Sequence, residues 1–231
     1  MATDTSAPAV LFDLDGTLVD SNYLHVHAWQ RAFTEVGLSV EAWRIHRAIG
    51  MDGSLLLASL AGDADEAICS RAKHLHGRFY QETAPLMRRL PGARGLLERV
   101  GDLGLQIVLA TSAPEEELAL AREVLACEDL VSVVTSSEDV DTAKPQPGIV
   151  QVALDRAGVD SDGAVFVGDA VWDMKACRKA GVPSIGLCSG GVSRAELEDA
   201  GARVVFANAL DLCKHLDTSP IAVLADTVSA R

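Results

Sequence analysis

Val10-Leu11-Phe12-Asp13-Leu14-Asp15-Gly16-Thr17-Leu18-Val19-Asp20 decides how this chain reads. A short apolar run ends in two carboxylates at alternate positions, and a glycine follows. Alternate side chains of a strand point to one side, so Asp13 and Asp15 stand together at the strand's carboxyl edge. Like charges held that close repel unless a cation neutralises them, and clustered carboxylate oxygens suit magnesium. Gly16 permits the sharp exit that an exposed nucleophile needs. An isolated Asp-Gly pair is commonly a solvated turn; the apolar run in front of this one argues against that reading.

Working outward, the same short apolar runs recur at 107–110, 131–135, 164–167, 184–187 and 203–206. Helical patterns with visible ends lie between them. Ala93, Leu96, Leu97, Val100 and Leu103 share a face that Gly104 terminates. Pro147 opens a helix with Ile149, Val150, Ala153, Leu154 and Ala157 inward and Gly158 at its end. Another begins near Val171 and stops at Gly181 and Pro183, and a Ser193/Glu196 capping box starts a short one closed by Gly201. This alternation predicts an α/β fold, a Rossmann-like, doubly wound, mainly parallel sheet.

From about 20 to 90 the alternation stops, and only helical periodicity is visible. Leu24, Ala28, Ala32 and Val36 recur at four-residue spacing before Gly37, and helical patterns surround 55–60 and 67–80. The expected organisation is a core of residues 1–18 and 91–231 with an all-helical cap, 19–90, hinged at 16–20 and 89–92. The tail 217–231 shows mild β character without a clear assignment and is expected to be loosely held.

Composition narrows the function. The 231 residues carry 33 acidic and 20 basic side chains, a formal charge of −13, with 48% hydrophobic and 23% charged residues. That is a globular composition, and its acidity opposes nucleic acid or an anionic membrane as partner. No stretch approaches the ~18 apolar residues of a spanning helix. The five cysteines are scattered without a CxxC pair, which fits a reducing compartment, and no basic signal region precedes Arg31; a cytoplasmic location is expected. Nothing in the sequence sets an oligomeric state. Residues 20–90 hold eight acids and eight bases, so the excess charge lies elsewhere; 115–141 alone holds nine acids against Arg122. That run is expected to form a solvated helix face and loop.

Three further pieces carry chemistry. Asp169 and Asp173, in Gly168-Asp169-Ala170-Val171-Trp172-Asp173, fall on one face of an incipient helix, although an N-cap and a first-turn dipole partner would look the same. Thr111 and Ser112 follow a strand and offer hydroxyl and backbone donors to an anion, unless Ser112 and Glu115 form a capping box. Lys144 is held by Pro145 and Pro147 at the start of a helix. Each piece follows a strand of one sheet, and in such sheets ligands sit beyond the carboxyl ends.

In these residues the chain resembles the haloacid-dehalogenase (HAD) superfamily of phosphatases and phosphomutases. Residues 13–21 look like its first motif, Thr111 its second, Lys144 with its Pro-x-Pro its third and 168–173 its fourth. The resemblance spans nearly the whole chain and implies roles. Asp13 would attack phosphorus to form an aspartyl-phosphate, and Asp15 would protonate the leaving alcohol and then activate water. Thr111 and Ser112 would hold phosphoryl oxygens, and Lys144 would steady the charge over Asp13 and phosphate. Mg2+ would be held by Asp13, the backbone carbonyl of Asp15 and Asp169, with Asp173 in support. Gly148 replaces the aspartate common after KPxP, which would affect helix packing more than chemistry.

The resemblance predicts a magnesium-dependent phosphatase for a small phosphorylated metabolite, a sugar phosphate or a phosphoglycolate-like acid. A β-phosphoglucomutase-like enzyme is the alternative: His25 lies ten residues after Asp15, where such mutases also carry histidine, but Gly53 stands near their cap arginine. The loop 49–53, with Met51 and Asp52, would face substrate. From another class, a non-catalytic phosphate-binding or receiver-like signalling protein combines similar residues, though receiver domains are shorter and lack an inserted cap.

Overall fold

The computed structural model describes residues 6–139 and 144–229. Strand β1 (Ala9–Phe12) runs into a ribbon strand, β2 (Val19–Asp20), and then four helices follow: α1 (Asn22–Glu35), α2 (Ala42–Ala48), α3 (Gly53–Leu60) and α4 (Glu66–Thr83). The chain returns through β3 (Arg88–Arg89) and continues with α5 (Ala93–Asp102), β4 (Gln106–Ala110), α6 (Glu115–Leu125) and β5 (Val133–Thr135). Then come α7 (Gly148–Ala157), β6 (Ala164–Gly168), α8 (Val171–Ala180), β7 (Ser184–Leu187), α9 (Arg194–Ala200) and β8 (Val204–Phe206), and finally α10 (Ala209–Lys214) and α11 (Pro220–Ser229).

The six longer strands form one parallel sheet in the order β5-β4-β1-β6-β7-β8. All four residues of β1 are fully buried, as expected of a central strand covered on both faces. Their alternation assigns each to a core. Val10 and Phe12 pack with Leu109, Val167 and Ile185 under α5, α10 and α11, while Ala9 and Leu11 pack with Val108, Phe166 and the inner faces of α7 and α8. The chain leaves β1 towards β4 and β5 on one side and later towards β6, β7 and β8 on the other. The carboxyl end of β1 is therefore where the strand order reverses, the place such sheets bind ligands.

The helical insert follows β1 as expected, with two corrections. β2 and β3 pair antiparallel, Val19 with Arg89 and Asp20 with Arg88, where the sequence showed no strand; two residues are too few to display a period. Helix α2, also unforeseen, is only seven residues long and buries just Ile45 and Ala48. Trp29, Phe33, Ile45, Leu56, Phe79 and Tyr80 form the insert's interior, continuous with the main core.

The tail also departs from expectation. It forms a 3-10 turn, Leu216–Thr218, and then α11. Leu216, Ile221, Leu224 and Ala225 are buried in the main core; the last three fall at helical spacing that β-branched Val223, Thr227 and Val228 obscure. Pro220 occupies the first turn of α11, where its missing N–H costs nothing. The acid-rich run 115–141 begins as helix α6, but it is not wholly solvated: Glu117 is buried. Asp141 lies outside the described residues.

Candidate active site

Asp13 directly follows β1, and its N–H donates to the Val167 carbonyl at 2.9 Å, so it still follows the sheet's register. Thr111 follows β4, Lys144 precedes α7 and Asp169 follows β6. Four sequence-distant segments thus meet at one crevice. Gly16 has φ +71°, a conformation a side chain would strain, and it turns the chain away from Asp15.

Lys144 is the hub. Its ammonium, 1% exposed, lies 2.8 Å from Asp13 Oδ1 and 2.7 Å from Asp173 Oδ1. The other Asp173 oxygen accepts the N–H of Ala170 at 3.0 Å. Asp173 therefore does both things its spacing allowed: it caps α8 and joins the charge cluster. Asp169 accepts from Thr17 Oγ1 and from Asn22 Nδ2, each at 2.8 Å. Asp13, Asp169 and Asp173 bring carboxylate oxygens within 4.8 Å of one another.

The cluster is short of positive charge. Burial, reinforced by Asp173 and Asp15, pushes Asp13 up to about 7 against the pull of Lys144. Burial and the Asp173 and Asp13 carboxylates push Asp169 well above the carboxylate range, opposed by its Thr17 and Asn22 hydrogen bonds. One ammonium cannot offset three buried carboxylates. An all-oxygen, multiply anionic, buried donor set suits a hard divalent cation such as Mg2+.

Beside this cluster the hydroxyl residues face the cavity. The Thr111 hydroxyl oxygen accepts the Ala113 N–H at 3.1 Å, leaving its proton available to donate. Ser112 Oγ is buried and has no hydrogen-bond partner among the described residues. The alternative Ser112/Glu115 capping box does not form, because α6 starts after Pro114. A buried hydroxyl without a partner is costly, and an anion at this strand end would supply the acceptor.

Asp15 points the other way, towards the helical insert. Burial opposes its ionisation, but His25, a 2.5 Å hydrogen bond from Ser21 and the Lys144 charge outweigh that and lower its pKa. His25 Nε2 lies 3.4 Å from Asp15 Oδ1, and the Tyr80 hydroxyl reaches the same oxygen at 3.4 Å. Although burial favours the neutral form of His25, Asp15, Glu117 and Asp13 raise its pKa. The His25 ring stacks on Tyr80 with centroids 3.8 Å apart. Met51 and Asp52 line the same cavity, of about 440 Å³, although Asp52 also accepts the Ser54 N–H at 2.8 Å and caps α3.

Sequence reasoning did not single out Thr17, Ser21, Asn22, His76, Tyr80, Glu117 or Gly190. Thr17, Ser21 and Asn22 sit in or beside the first motif, but isolated polar residues give no spacing signal. Gly190 is legible only in three dimensions. A Cβ there would lie 1.7 Å from Asp169 Oδ2 and 2.7 Å from Asn22 Nδ2. Gly190→Ala is accordingly expected to displace Asp169 and lower kcat/KM at least about 100-fold, measured by phosphate release; activity within about twofold of wild type would contradict this placement.

The haloacid dehalogenase-like hydrolase family matches the chain over residues 10–187. A phosphoglycolate phosphatase of Rhodospirillum rubrum is 31% identical over 208 residues, 86% of each chain. A phosphatase of phosphorylated carbohydrates from Thermotoga maritima is 27% identical over 77% of this chain and 83% of its own. The crystal structure of a hydrolase from Pseudomonas syringae superposes with a TM-score of 0.88 at 36% identity, covering 91% of this chain and 98% of that one.

Proposed function

We propose, from the premise that this chain belongs to the haloacid dehalogenase-like hydrolase family, how its site performs the chemistry. The protein is a phosphatase of small phosphorylated metabolites. The observation that carries the mechanism is the buried cluster in which Lys144 bridges Asp13 and Asp173 at 2.8 and 2.7 Å, with Asp169 alongside.

Asp13 is the nucleophile. Lys144 holds one of its oxygens, and the other attacks phosphorus; the phosphorus–ester oxygen bond breaks and its electron pair leaves with the alcohol oxygen. Asp15, with the proton it shares with His25, protonates that oxygen. Asp15 then takes a proton from water, which attacks the aspartyl-phosphate, breaks the Asp13–phosphorus bond and releases inorganic phosphate. Thr111 and Ser112 donate to the phosphoryl oxygens, and Lys144 offsets the charge that develops there. Asp13, the Asp15 carbonyl and Asp169 would hold Mg2+, with Asp173 in support; bound, the ion would neutralise phosphate charge and help position it.

Residues 1–18 and 91–231 are read as the catalytic core and 19–90 as a cap over it. Supporting this, the insert meets the core through His46 Nε2 and the Gly190 carbonyl at 3.0 Å, Trp172 Nε1 donating to the Arg47 carbonyl at 3.1 Å, and the Arg47–Glu196 ion pair at 2.5 Å. Closure would exclude bulk water during transfer.

The membrane and location expectations narrow. No helix among the described residues is long and apolar enough to cross a membrane, and a cytoplasmic location remains part of the proposal.

The test separating phosphatase from mutase is stoichiometric. With β-glucose 1-phosphate, magnesium and a catalytic amount of β-glucose 1,6-bisphosphate to prime any mutase activity, each substrate consumed should yield one inorganic phosphate. Accumulation of glucose 6-phosphate without phosphate release would make the protein a mutase.

A further inference from the structure

The cavity has an inner wall that the chemistry at Asp13 does not use. Glu117, in the first turn of α6, and His76, on α4, meet across the seam between core and insert. His76 Nδ1 lies 3.4 Å from Glu117 Oε1, their side chains 7% and 10% exposed, and both line the cavity. His76 is fixed from two further sides: its Nε2 lies 3.2 Å from His25 Nδ1, and its ring stacks on Trp29 with centroids 4.2 Å apart.

The charge around this pair is distinctive. Burial and the adjacent His25 hold His76 well below the usual histidine range, so a neutral imidazole faces Glu117. Lys144 is the one buried lysine or arginine among the described residues, and it is taken up by Asp13 and Asp173. The other lysine and arginine side chains lining the cavity, Lys73 and Arg78, are exposed, and His25 is taken up by Asp15. Lys73 Nζ donates to Ser54 Oγ at 3.3 Å, and Arg78 lies over the Phe79 ring.

We infer that Glu117 and His76 select the alcohol part of the substrate, accepting a hydroxylated uncharged group, that of a polyol or sugar phosphate, and excluding a phosphorylated carboxylic acid. The inference rests on the phosphatase reading above and names its substrate class. A buried carboxylate needs hydrogen-bond donors, and substrate hydroxyls supply them. A substrate carboxylate would instead bring a further negative charge towards Glu117 and Asp15, where the buried cationic groups are already paired, Lys144 with Asp13 and Asp173 and His25 with Asp15 at 3.4 Å. The volume agrees: about 440 Å³ falls in the ~300–1,000 Å³ range of pockets that enclose whole small molecules, more than a two-carbon acid requires.

Glycerol 3-phosphate and 3-phosphoglycerate test this, because they differ only in a hydroxymethyl group against a carboxylate. Phosphate release with magnesium should give wild-type protein a kcat/KM at least about 100-fold higher for glycerol 3-phosphate. Glu117→Gln should reduce that ratio about tenfold or more, chiefly through KM. Glu117→Arg should raise the absolute kcat/KM for 3-phosphoglycerate, a gain that damaged folding cannot produce. Wild-type preference for 3-phosphoglycerate, or a ratio unchanged in Glu117→Gln, would overturn the inference. An aryl phosphate run alongside separates the two levels. If it is hydrolysed while the ratio is near one, the selectivity fails alone. If none of the three releases phosphate, the phosphatase reading fails, and the selectivity with it.

Discussion

Replacing Asp13 by asparagine should lower phosphate release from an aryl phosphate by about ten-thousandfold or more, the scale of losing a covalent nucleophile. The substitution is nearly isosteric, but the amide lacks the carboxylate that attacks phosphorus. It also removes one of the charges facing Lys144, whose ammonium lies 2.8 Å from Asp13 and 2.7 Å from Asp173. Lys144 keeps Asp173 as partner, so the protein should stay folded and show an unchanged circular dichroism spectrum. The size of the loss therefore reports chemistry. Equal activity in both proteins would remove Asp13 from the role.

Removing divalent metal should have the second largest effect. Without a dication, Lys144 alone stands against Asp13, Asp169 and Asp173. Burial, Asp173 and Asp15 raise the pKa of Asp13 despite Lys144, which disfavours the ionised carboxylate that attacks. The remaining carboxylates also repel the incoming phosphate. Exhaustive chelation is expected to reduce kcat/KM by at least about 1,000-fold, with recovery on adding Mg2+. Activity that survives chelation would show that the cluster works without a metal. The protein's formal charge of −13 does not itself oppose an anionic substrate. What matters is the local imbalance at Asp13, Asp169 and Asp173, which a bound cation can correct.

The sheet was legible because its strands are apolar on both faces, a pattern that ends abruptly at Asp13, at Thr111 and at Asp169. The order of those endings was enough to bring Asp13, Thr111, Lys144 and Asp169 to one edge. Resemblance, not periodicity, supplied their roles. What was not legible has two physical causes. The β2–β3 ribbon and helix α2 are too short to carry a period. The inner wall depends on contacts between distant elements: Glu117 on α6 looked like one more acid in a solvated run, and no spacing marked His76. Both are buried because α4 and α6 pack together, bringing His76 and Glu117 to 3.4 Å. His25 could be read from its spacing after Asp15, but its contacts with Asp15, Tyr80 and His76 could not.

The central claim is that phosphate passes through a covalent bond to Asp13. Acid quenching during turnover, followed by borohydride reduction and peptide mass spectrometry, tests it directly, because reduction converts an aspartyl-phosphate to homoserine. Homoserine is expected at position 13, dependent on substrate and on magnesium, and absent from Asp13→Asn. Homoserine at another aspartate, or phosphate trapped on a histidine, would contradict it.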